Sequence, residues 1–175
     1  MALLLALLAL AGPAPAAAAV PPTPVRTCAE RIEAGGAPIP FPRPARNTVF
    51  AGPLALSGLF PRTVAGLGPR GEDGRYWTKA GALVRGGKAV VLSVPSRYRG
   101  VLVTHYARMG NGEQAVRIEP CPSATPAFSY DGVVGPVTAF SGGFGVSRPG
   151  CYPLDVTVAG GRSYRVRLAL GRPCR

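Results

Sequence analysis

One histidine and a few hydroxyl and carboxyl side chains are the residues of this sequence with the clearest potential for catalysis. His105 is the only histidine in the chain, so any histidine-based hydrolase has to use it as the base. Ser141, Ser147 and Asp131 are the side chains that could complete such a site. The stretch "GFGVSRP" approximates a nucleophile elbow but lacks its final glycine and its strand-to-helix context. Packing and hydrogen bonding of His105 within a strand are favoured over catalysis.

A second motif with chemical potential is "GLGPRG" at residues 66–71, which matches the G-x-G-x-x-G pattern of dinucleotide-binding turns. That site requires a preceding strand, a following helix and an acidic residue about twenty positions later. Pro69 and the following "GEDGR" continue a loop, and the stretch from Lys88 to Val91 contains no carboxylate. The motif therefore predicts a turn, and the sequence predicts no cofactor and no catalytic residue.

The basic residues suggest an anionic partner as one interpretation, because the formal net charge of +12 suits a polyanion. The basic residues are scattered along the chain, however, so a solvated basic surface is the favoured interpretation. The best candidates for an anion patch are Arg97, Arg99, Arg165 and Arg167, because Arg165 and Arg167 must share an exposed strand face. The expected partner is an anionic cell-wall polymer, a membrane surface or an envelope protein, without specific nucleic acid binding. The oligomeric state stays open.

Aromatic residues and one loop offer further candidate binding elements. Tyr76 and Trp77, with Tyr98 and Tyr106, could form a stacking platform for a glycan or a base, although core packing is favoured for Trp77. The loop "CPSATPAFSYDG", from Cys121 to Gly132, is polar and lies beside a cysteine. Braced loops of this kind carry recognition residues in secreted inhibitors and binding modules. A plain connection between strands is the favoured interpretation.

The four cysteines, Cys28, Cys121, Cys151 and Cys174, predict two disulfide bonds. No pair has the C-x-x-C spacing of a metal site, and the only histidine is distant in sequence, so no metal is expected. Of the three connectivities, we expect Cys121–Cys151 and Cys28–Cys174. The first closes a loop of about thirty residues, worth about 3.5 kcal/mol in the chain-entropy model, and the second ties the chain ends together.

Disulfide bonds form in oxidising compartments, and the N-terminal part of the chain predicts export to one. Residues 1–19 read as a secretory signal, with an apolar run followed by small residues and cleavage near Ala19. The first charge is Arg26, so an uncleaved anchor and a different start both stay open. Residues 20–46 are rich in proline and predict an extended leader that carries Cys28. Residues 47–175 are then one domain of a secreted or envelope-associated protein.

The elements that position these residues are predicted to be strands. Short apolar runs separated by turn residues every eight to twelve positions, without a sustained helical period, are typical of all-β proteins. We expect one disulfide-stapled antiparallel β-sandwich, Ig-like or similar, of about eight or nine strands. The glycines Gly142, Gly143 and Gly145 are interpreted as part of the connection that enters the strand of Cys151.

Glycine pairs predict two tight hairpins. Gly86-Gly87 fits a two-residue turn that sets Leu83 opposite Val90. Asn111-Gly112 is the strongest short hairpin signal, and it sets Tyr106 opposite Arg117 and Thr104 opposite Glu119.

A third hairpin has a longer loop, because apolar alternation selects its register. A three-residue loop from Ala159 to Gly161 sets Val156 against Tyr164 and Leu154 against Val166. The same register places Asp155 beside Arg165 on the solvent face.

Several stretches of the chain together resemble a group of exported proteins. They are "AGPLALSG", "GGKAVVLSVP", "AVRIEPC", "SGGFGV", "PGCYPLDVTV" and "LGRPC". In these stretches the chain resembles exported all-β proteins of unassigned function from high-GC, actinobacteria-like organisms. The resemblance implies a secreted all-β domain and carries over no catalytic residues. We therefore expect a non-catalytic binding or structural module, with a secreted hydrolase using His105 or an inhibitor of a secreted protease as alternatives.

Overall fold

The computed structural model describes residues 22–58, 63–106 and 112–175. The predicted signal segment, residues 1–19, lies outside these ranges. Within them the protein is all-β, with strands joined by turns and three short 3₁₀ turns and without an α-helix. A helix long and apolar enough to cross a membrane is likewise not found in the described part of the chain.

Eleven strands are present in the described residues. In chain order they are β1 Val25–Arg26, β2 Thr48–Ala51, β3 Leu54–Gly58, β4 Tyr76–Arg85, β5 Val90–Ser93, β6 Leu102–Thr104, β7 Ala115–Ile118, β8 Val137–Phe140, β9 Gly143–Val146, β10 Gly150–Val158 and β11 Ser163–Leu170. The 3₁₀ turns are Cys28–Glu30, Val64–Gly66 and Ser96–Tyr98. The expected count of eight or nine is exceeded because β1 has only two residues and because β8 and β9 together pair with the long β4.

The strands form two sheets. The first has the order β1-β7-β5-β10-β11, and the second has the order β2-β3-β4-β9-β6, with β8 beside the C-terminal half of β4. Strand pairing is antiparallel except between β1 and β7, which run parallel. The glycines of "SGGFGV" belong to this framework, because Gly143 and Gly145 lie in β9. The sequence had placed Gly143 and Gly145 in the connection to the strand of Cys151, and this prediction is wrong.

A single apolar core lies between the two sheets. The first sheet contributes Leu92 and Leu154, and the second contributes Leu56, Phe140 and Phe144, all at most 1% exposed. These side chains alternate with outward-facing ones along each strand, as a pleated strand requires. Each fully buried side chain of this size stabilises the fold by about 1.5–3 kcal/mol. The sandwich-like, all-β architecture expected from the sequence is thus confirmed.

Successive connections leave the sheets at two opposite ends. We call one the arginine end; it comprises the connections 63–75, 94–101 and 147–149 and the C-terminal residues 171–175. We call the other the loop end; it comprises the turns 52–53, 86–89 and 159–162 and the long connection 119–136. The registers fix this division, because Tyr76 pairs with Val146 at the arginine end, whereas Arg85 pairs with Val137 at the loop end.

The hairpin predicted at Gly86-Gly87 is wrong. The two strands belong to different sheets: Leu83 of β4 pairs with Ala55 and Ala139, and Val90 of β5 pairs with Ile118 and Val158. The turn is an arch that crosses from one sheet to the other. Both strands still point one apolar face at the same core, which is why alternation alone resembled a hairpin.

The register predicted at Asn111-Gly112 is also wrong, and Asn111 itself lies outside the described residues. Thr104 pairs with Glu113 through two backbone hydrogen bonds of 2.8 Å, and not with Glu119. Arg117 does not face Tyr106, because β7 lies in the first sheet between β1 and β5. The chain changes sheets after a single bridge.

The third hairpin is confirmed in every predicted pair. Val156 lies opposite Tyr164, Leu154 opposite Val166 and Asp155 opposite Arg165. The three-residue loop contains Gly160 at a φ of 66°, a left-handed conformation that glycine adopts without strain.

Both predicted disulfides are wrong: Cys121–Cys151 and Cys28–Cys174 are replaced by Cys28–Cys121 and Cys151–Cys174. Because β1 runs parallel to β7, Cys28 and Cys121 leave these strands at the loop end, with Cα atoms 4.8 Å apart. Cys151 is the second residue of β10, at the opposite end, where it pairs with Ala169 and lies 5.1 Å from Cys174 between Cα atoms. A bond between the two ends of the sheets would need backbone movement.

The proline-rich segment is part of the sandwich. After β1 the chain crosses to the second sheet, where Ile32 bridges to Ala139 of β8. It continues without regular structure over the outer face of that sheet, where the Phe41 ring lies 5.9 Å from the Phe50 ring. This strap covers the outward-facing side chains of β2, β3 and β8, which explains why Ala55 and Ala139 are buried on the side away from the core.

Candidate functional site

The arginine end carries exposed arginines from three connections and from the C-terminal segment. They are Arg70, Arg97, Arg99, Arg148 and Arg172. Three of them are next to a proline, in "GPRG", "SRPG" and "GRPC". Proline and glycine prevent these segments from continuing as strands, so the arginine side chains are displayed at the rim of the sandwich.

Hydrogen bonds join these connections into one surface. Arg70 Nη2 donates to the carbonyl oxygen of Ser147 over 3.2 Å. The Ser147 amide donates in turn to the Val101 carbonyl over 2.9 Å. The C-terminal segment is packed against the same region, because a Cβ atom at Gly171 would lie 2.9 Å from Cβ of Pro149.

Two tyrosines support the surface from below. The rings of Tyr98 and Tyr152 meet edge to face at 5.6 Å, and the Tyr152 hydroxyl donates to the Arg148 carbonyl over 2.6 Å. Burial raises the pKa of Tyr152 and outweighs the opposing effect of Arg148, so this hydroxyl stays protonated and keeps its hydrogen bond. The guanidinium of Arg97 lies 4.8 Å above the Tyr98 ring, and that of Arg70 lies 4.7 Å above Tyr76. These cation–π contacts restrict the side chains without neutralising them.

The charge of this end is strongly positive. Its four segments contain seven arginines against two carboxylates, Glu72 and Asp73, a net side-chain charge of +5. Asp73 is committed to Arg75 at 3.3 Å. Burial raises the pKa of Asp73, but its hydrogen bonds from Arg75 and Trp77 and the charge of Arg75 outweigh this and lower it. The five exposed arginines form no ion pair with a carboxylate among residues 22–58, 63–106 and 112–175.

The predicted anion patch is divided by the structure. Arg97 and Arg99 lie at the arginine end. Arg165 lies on the outer face of the first sheet, where Nε and Nη2 donate to the two Asp155 carboxylate oxygens over 2.7 and 3.1 Å. These hydrogen bonds and the Asp155 charge raise the pKa of Arg165. The opposite charges of the two side chains cancel, so the pair adds no net charge to this face.

Arg167, the last of the predicted patch residues, donates through Nη1 to the carbonyl oxygen of Arg175 over 2.6 Å. The sequence interpretation missed Arg70, Arg148 and Arg172. The proline next to each of them was the available signal, because it marks a turn, and alternate turns of an antiparallel sheet lie at the same end.

A second feature of interest is the segment 122–135 of the long connection at the loop end, which overlaps the stretch Cys121–Gly132 that the sequence singled out. It folds back on itself, with the Val134 amide donating to Thr125 over 2.9 Å and the Ala127 amide donating to Gly132 over 3.0 Å. We call this segment the braced loop. Phe128, at its tip, is 65% exposed.

The bracing comes from Glu33 and Arg31 of the N-terminal segment. One carboxylate oxygen of Glu33 accepts hydrogen bonds from the amides of Phe128 and Ser129, both over 2.9 Å, and from the Ser129 hydroxyl over 3.0 Å. Arg31 bonds the other oxygen over 2.7 Å, donates to the Pro126 carbonyl over 3.0 Å and covers the Phe128 ring at 4.6 Å. Burial raises the pKa of Glu33, but these hydrogen bonds outweigh it and lower the pKa below its ordinary value.

A small cavity lies beneath the braced loop and the proline-rich segment. Its volume is about 10 Å³, and its walls include Ile39, Tyr130 and Val137. This cavity has room for about one water molecule and is too small for a larger ligand.

Two of the residues proposed for hydrolysis lie far apart. Asp131 lies on the braced loop at the loop end, whereas Ser147 lies between β9 and β10 at the arginine end. Ser141 lies between β8 and β9, two residues before Gly143, whose carbonyl oxygen accepts a hydrogen bond from the His105 amide over 3.0 Å. The His105 ring lies 4.3 Å from the Trp77 ring, so it packs beside an aromatic side chain.

The four aromatic residues likewise do not form a single platform. Tyr106 is 2% exposed and donates its hydroxyl hydrogen bond to Ala80. Trp77 lies on the outer face of the second sheet and not in the core between the sheets. Its ring fills the space over Gly145, where a Cβ atom would lie 2.5 Å from Trp77 Cζ3. The missing side chain at Gly145 therefore leaves room for the Trp77 ring.

Comparison with known proteins adds no further assignment. No family model matches the chain, and no curated protein or solved structure matches it either.

Proposed function

We propose that this protein is an exported, non-catalytic binding module that holds an anionic polymer of the cell envelope at its arginine end. The observation that carries the proposal is the set of five exposed arginines, from three connections and the C-terminal segment, which have no carboxylate partner within the described part of the chain. Guanidinium groups bind phosphate and carboxylate in bidentate geometry. Several of them on one surface suit a ligand that repeats its charge.

An extended polymer fits this surface better than a small anion. The arginines are exposed and distributed around the rim, so each contributes a weak, screened contact. A polymer that meets several of them at once gains from all of these contacts together, and its binding is steered by the positive field of the whole end. Sequence-specific recognition of nucleic acid is not part of the proposal.

The location of the protein is also part of the proposal. Two disulfide bonds are compatible with an oxidising compartment, and the leader-like N-terminal segment together with the resemblance to exported actinobacterial proteins supports export. We further assign the two-sheet architecture to an Ig-like or similar sandwich, since it combines antiparallel strands with one core and crossing connections.

Neither alternative from the sequence gains support. A His105 hydrolase cannot combine Ser147 with Asp131, because these two residues lie at opposite ends of the sheets. An inhibitor that binds a protease in the manner of an added strand needs free main-chain amides. Both tip amides of the braced loop, those of Phe128 and Ser129, already donate to Glu33.

The test is retention on immobilised polyphosphate as a defined polyanion, eluted with a salt gradient. We expect the double variant Arg97→Gln/Arg148→Gln to elute at clearly lower salt than the wild type, because fewer counterions are displaced from the polymer. The matched control, Arg165→Gln/Arg167→Gln, removes the same formal charge from the outer face of the first sheet. It should elute close to the wild type. Equal shifts for both variants would show that net charge alone drives binding and would contradict the proposed site.

A further inference from the structure

Segments 25–33 and 115–135, at one side of the loop end, differ in charge from the neighbouring turns 86–89 and 159–162, which carry Lys88 and Arg162. Segments 25–33 and 115–135 contain three arginines and four carboxylates, so their net charge is −1 in a chain of net charge +12. Each arginine has a carboxylate partner: Arg26–Glu30 at 3.0 Å, Arg31–Glu33 at 2.7 Å and Arg117–Glu119 at 2.7 Å. Half of the eight acidic residues of the chain lie in these two segments.

The same two segments also carry most of the exposed apolar side chains. Among the described residues the large exposed ones are Val25 at 42%, Ile32 at 44%, Phe128 at 65%, Val133 at 45% and, at the other end, Val64 at 51%. Phe128 and Val133, which we call the apolar patch, both lie on the braced loop, and Ile32 lies in the segment that braces it. Arg31 links the two patch residues, because its guanidinium covers Phe128 and bonds to Pro126, which itself bridges to Val133.

The apolar patch is held in a fixed shape. Glu33 and Arg31 fix the main chain at the tip of the braced loop, and the Cys28–Cys121 bond fixes its base. A rigid surface loses little conformational entropy when it is covered. An exposed aromatic residue at the centre of such a surface is a typical anchor of a protein interface.

We propose that a second copy of this chain covers the apolar patch and that the two copies form an isologous dimer through their loop ends. Two molecules of charge +12 repel each other, and the repulsion is smallest where charges are compensated locally. A two-fold axis brings the same patch from both copies together, so Phe128 of each copy packs on the apolar patch of the other. Apolar interfaces of this kind are typical of homodimers.

The dimer goes beyond the proposed polymer binding and does not depend on it. It directs the two arginine ends outward, on opposite sides of the assembly. A strand added to the tip of the braced loop is excluded as the mode of contact, because the amides of Phe128 and Ser129 are occupied. An anionic polymer finds no uncompensated arginine at the apolar patch.

Sedimentation equilibrium of the full oxidised chain over a range of concentrations tests the dimer. We expect the apparent mass to rise towards twice that of the protomer, and this association to persist or strengthen at high salt, since it is apolar. Phe128→Ser should weaken the association constant at least about tenfold. Val64→Ser, the matched control at the other end, should leave it unchanged. Non-reducing electrophoresis excludes a disulfide-linked dimer.

Three results would overturn the proposal. The first is a wild-type protein that stays monomeric at all concentrations. The second is an equal loss in the Phe128 and Val64 variants. The third is a monomeric protein that binds a different protein through Phe128, which would assign the patch to that partner. Polyphosphate retention of the same variants is measured in parallel, so the failure of the dimer and the failure of polymer binding are distinguished.

Discussion

Two side chains near the N-terminus, Arg31 and Glu33, determine the shape of a loop about 95 residues later in the chain. Glu33 supplies one oxygen to three donors, and Arg31 holds the other oxygen in place. Hydrogen bonds to a carboxylate favour its charged form. The bracing therefore depends on the ionisation of a single residue.

The lowered pKa of Glu33 predicts that the bracing weakens at acidic pH. A lowered folded-state pKa stabilises the structure fully above the ordinary pKa of glutamate, and this contribution is lost as the pH falls through the lowered value. Hydrogen-exchange protection of the Phe128 and Ser129 amides should decrease over that range. Glu33→Gln should remove most of this protection at neutral pH. Glu30→Gln, which changes a carboxylate bonded to Thr27, should leave it in place.

Individual side-chain contacts could be predicted only where the alternation of apolar and polar residues along a strand determines its register. The Asp155–Arg165 pair follows from strand alternation in the third hairpin, and the structure confirms the two residues as cross-strand partners. Glu33 gave no signal, because its partners are main-chain amides in an irregular loop, and such partners leave no pattern in the sequence. The space that Gly145 leaves for Trp77 was equally invisible, since the register between β4 and β9 was unknown.

At the scale of elements, the parallel pairing of β1 with β7 is the decisive feature. Two residues of β1 suffice to bring Cys28 beside Cys121 at the loop end. The sequence suggested an extended leader here, without indicating that it joins a sheet. Because the preferred disulfide had been chosen by loop length, and loop length carries no information on which strands are neighbours, both predicted bonds were wrong.

The two native disulfides are expected to contribute unequally. In the chain-entropy model, loops of 93 and 23 residues correspond to about 4.6 and about 3.4 kcal/mol of stabilisation. The double variant Cys28→Ala/Cys121→Ala should therefore lower the free energy of unfolding more than Cys151→Ala/Cys174→Ala, as measured by urea denaturation. It should also release β1 and abolish the amide protection of the braced loop. The second variant should keep that protection, and a loss in both would contradict the local role of Cys28–Cys121.

The three hairpin predictions show which elements could be foreseen. In the third hairpin, the apolar alternation of both strands selects a three-residue loop, and this was enough to predict how β10 pairs with β11. The turns at Gly86-Gly87 and near Gly112 connect different sheets, and an arch leaves the same apolar alternation in its flanking strands as a hairpin does. Only the identity of the neighbouring strands distinguishes the two, and that is a property of the whole fold.

At the scale of the whole molecule, the fold turns a scattered composition into an asymmetric charge distribution. Arginines that are far apart in sequence, such as Arg70 and Arg148, meet because alternate connections share one end of the sheets. The sequence supported a basic protein and an anionic partner, but it placed half of the patch on Arg165 and Arg167. Arg165 is compensated by Asp155, as the predicted register of the third hairpin already implied. Arg167 donates to the main-chain oxygen of Arg175, and only the path of the last residues reveals this contact.

The two proposals together predict that the protein cross-links anionic polymers. A dimer with two outward arginine ends binds two chains at once and gains from effective concentration. Wild-type protein mixed with polyphosphate should therefore give turbidity with a maximum at an intermediate ratio of protein to polymer. Phe128→Ser should still bind polyphosphate but should give little turbidity. Equal turbidity from both proteins would show that a single protomer is already multivalent.

The order of the paired cysteines along the chain affects how the two disulfide bonds can form. Cys28 bonds to Cys121 and Cys151 bonds to Cys174, so the first cysteine pairs with the second and the third with the fourth. A chain that crosses a membrane N-terminus first presents its cysteines in this order. An oxidant that joins each pair as soon as both members have emerged makes only native bonds. For the export proposed above, the order of emergence would specify the covalent framework, without any need for bonds to be reshuffled afterwards.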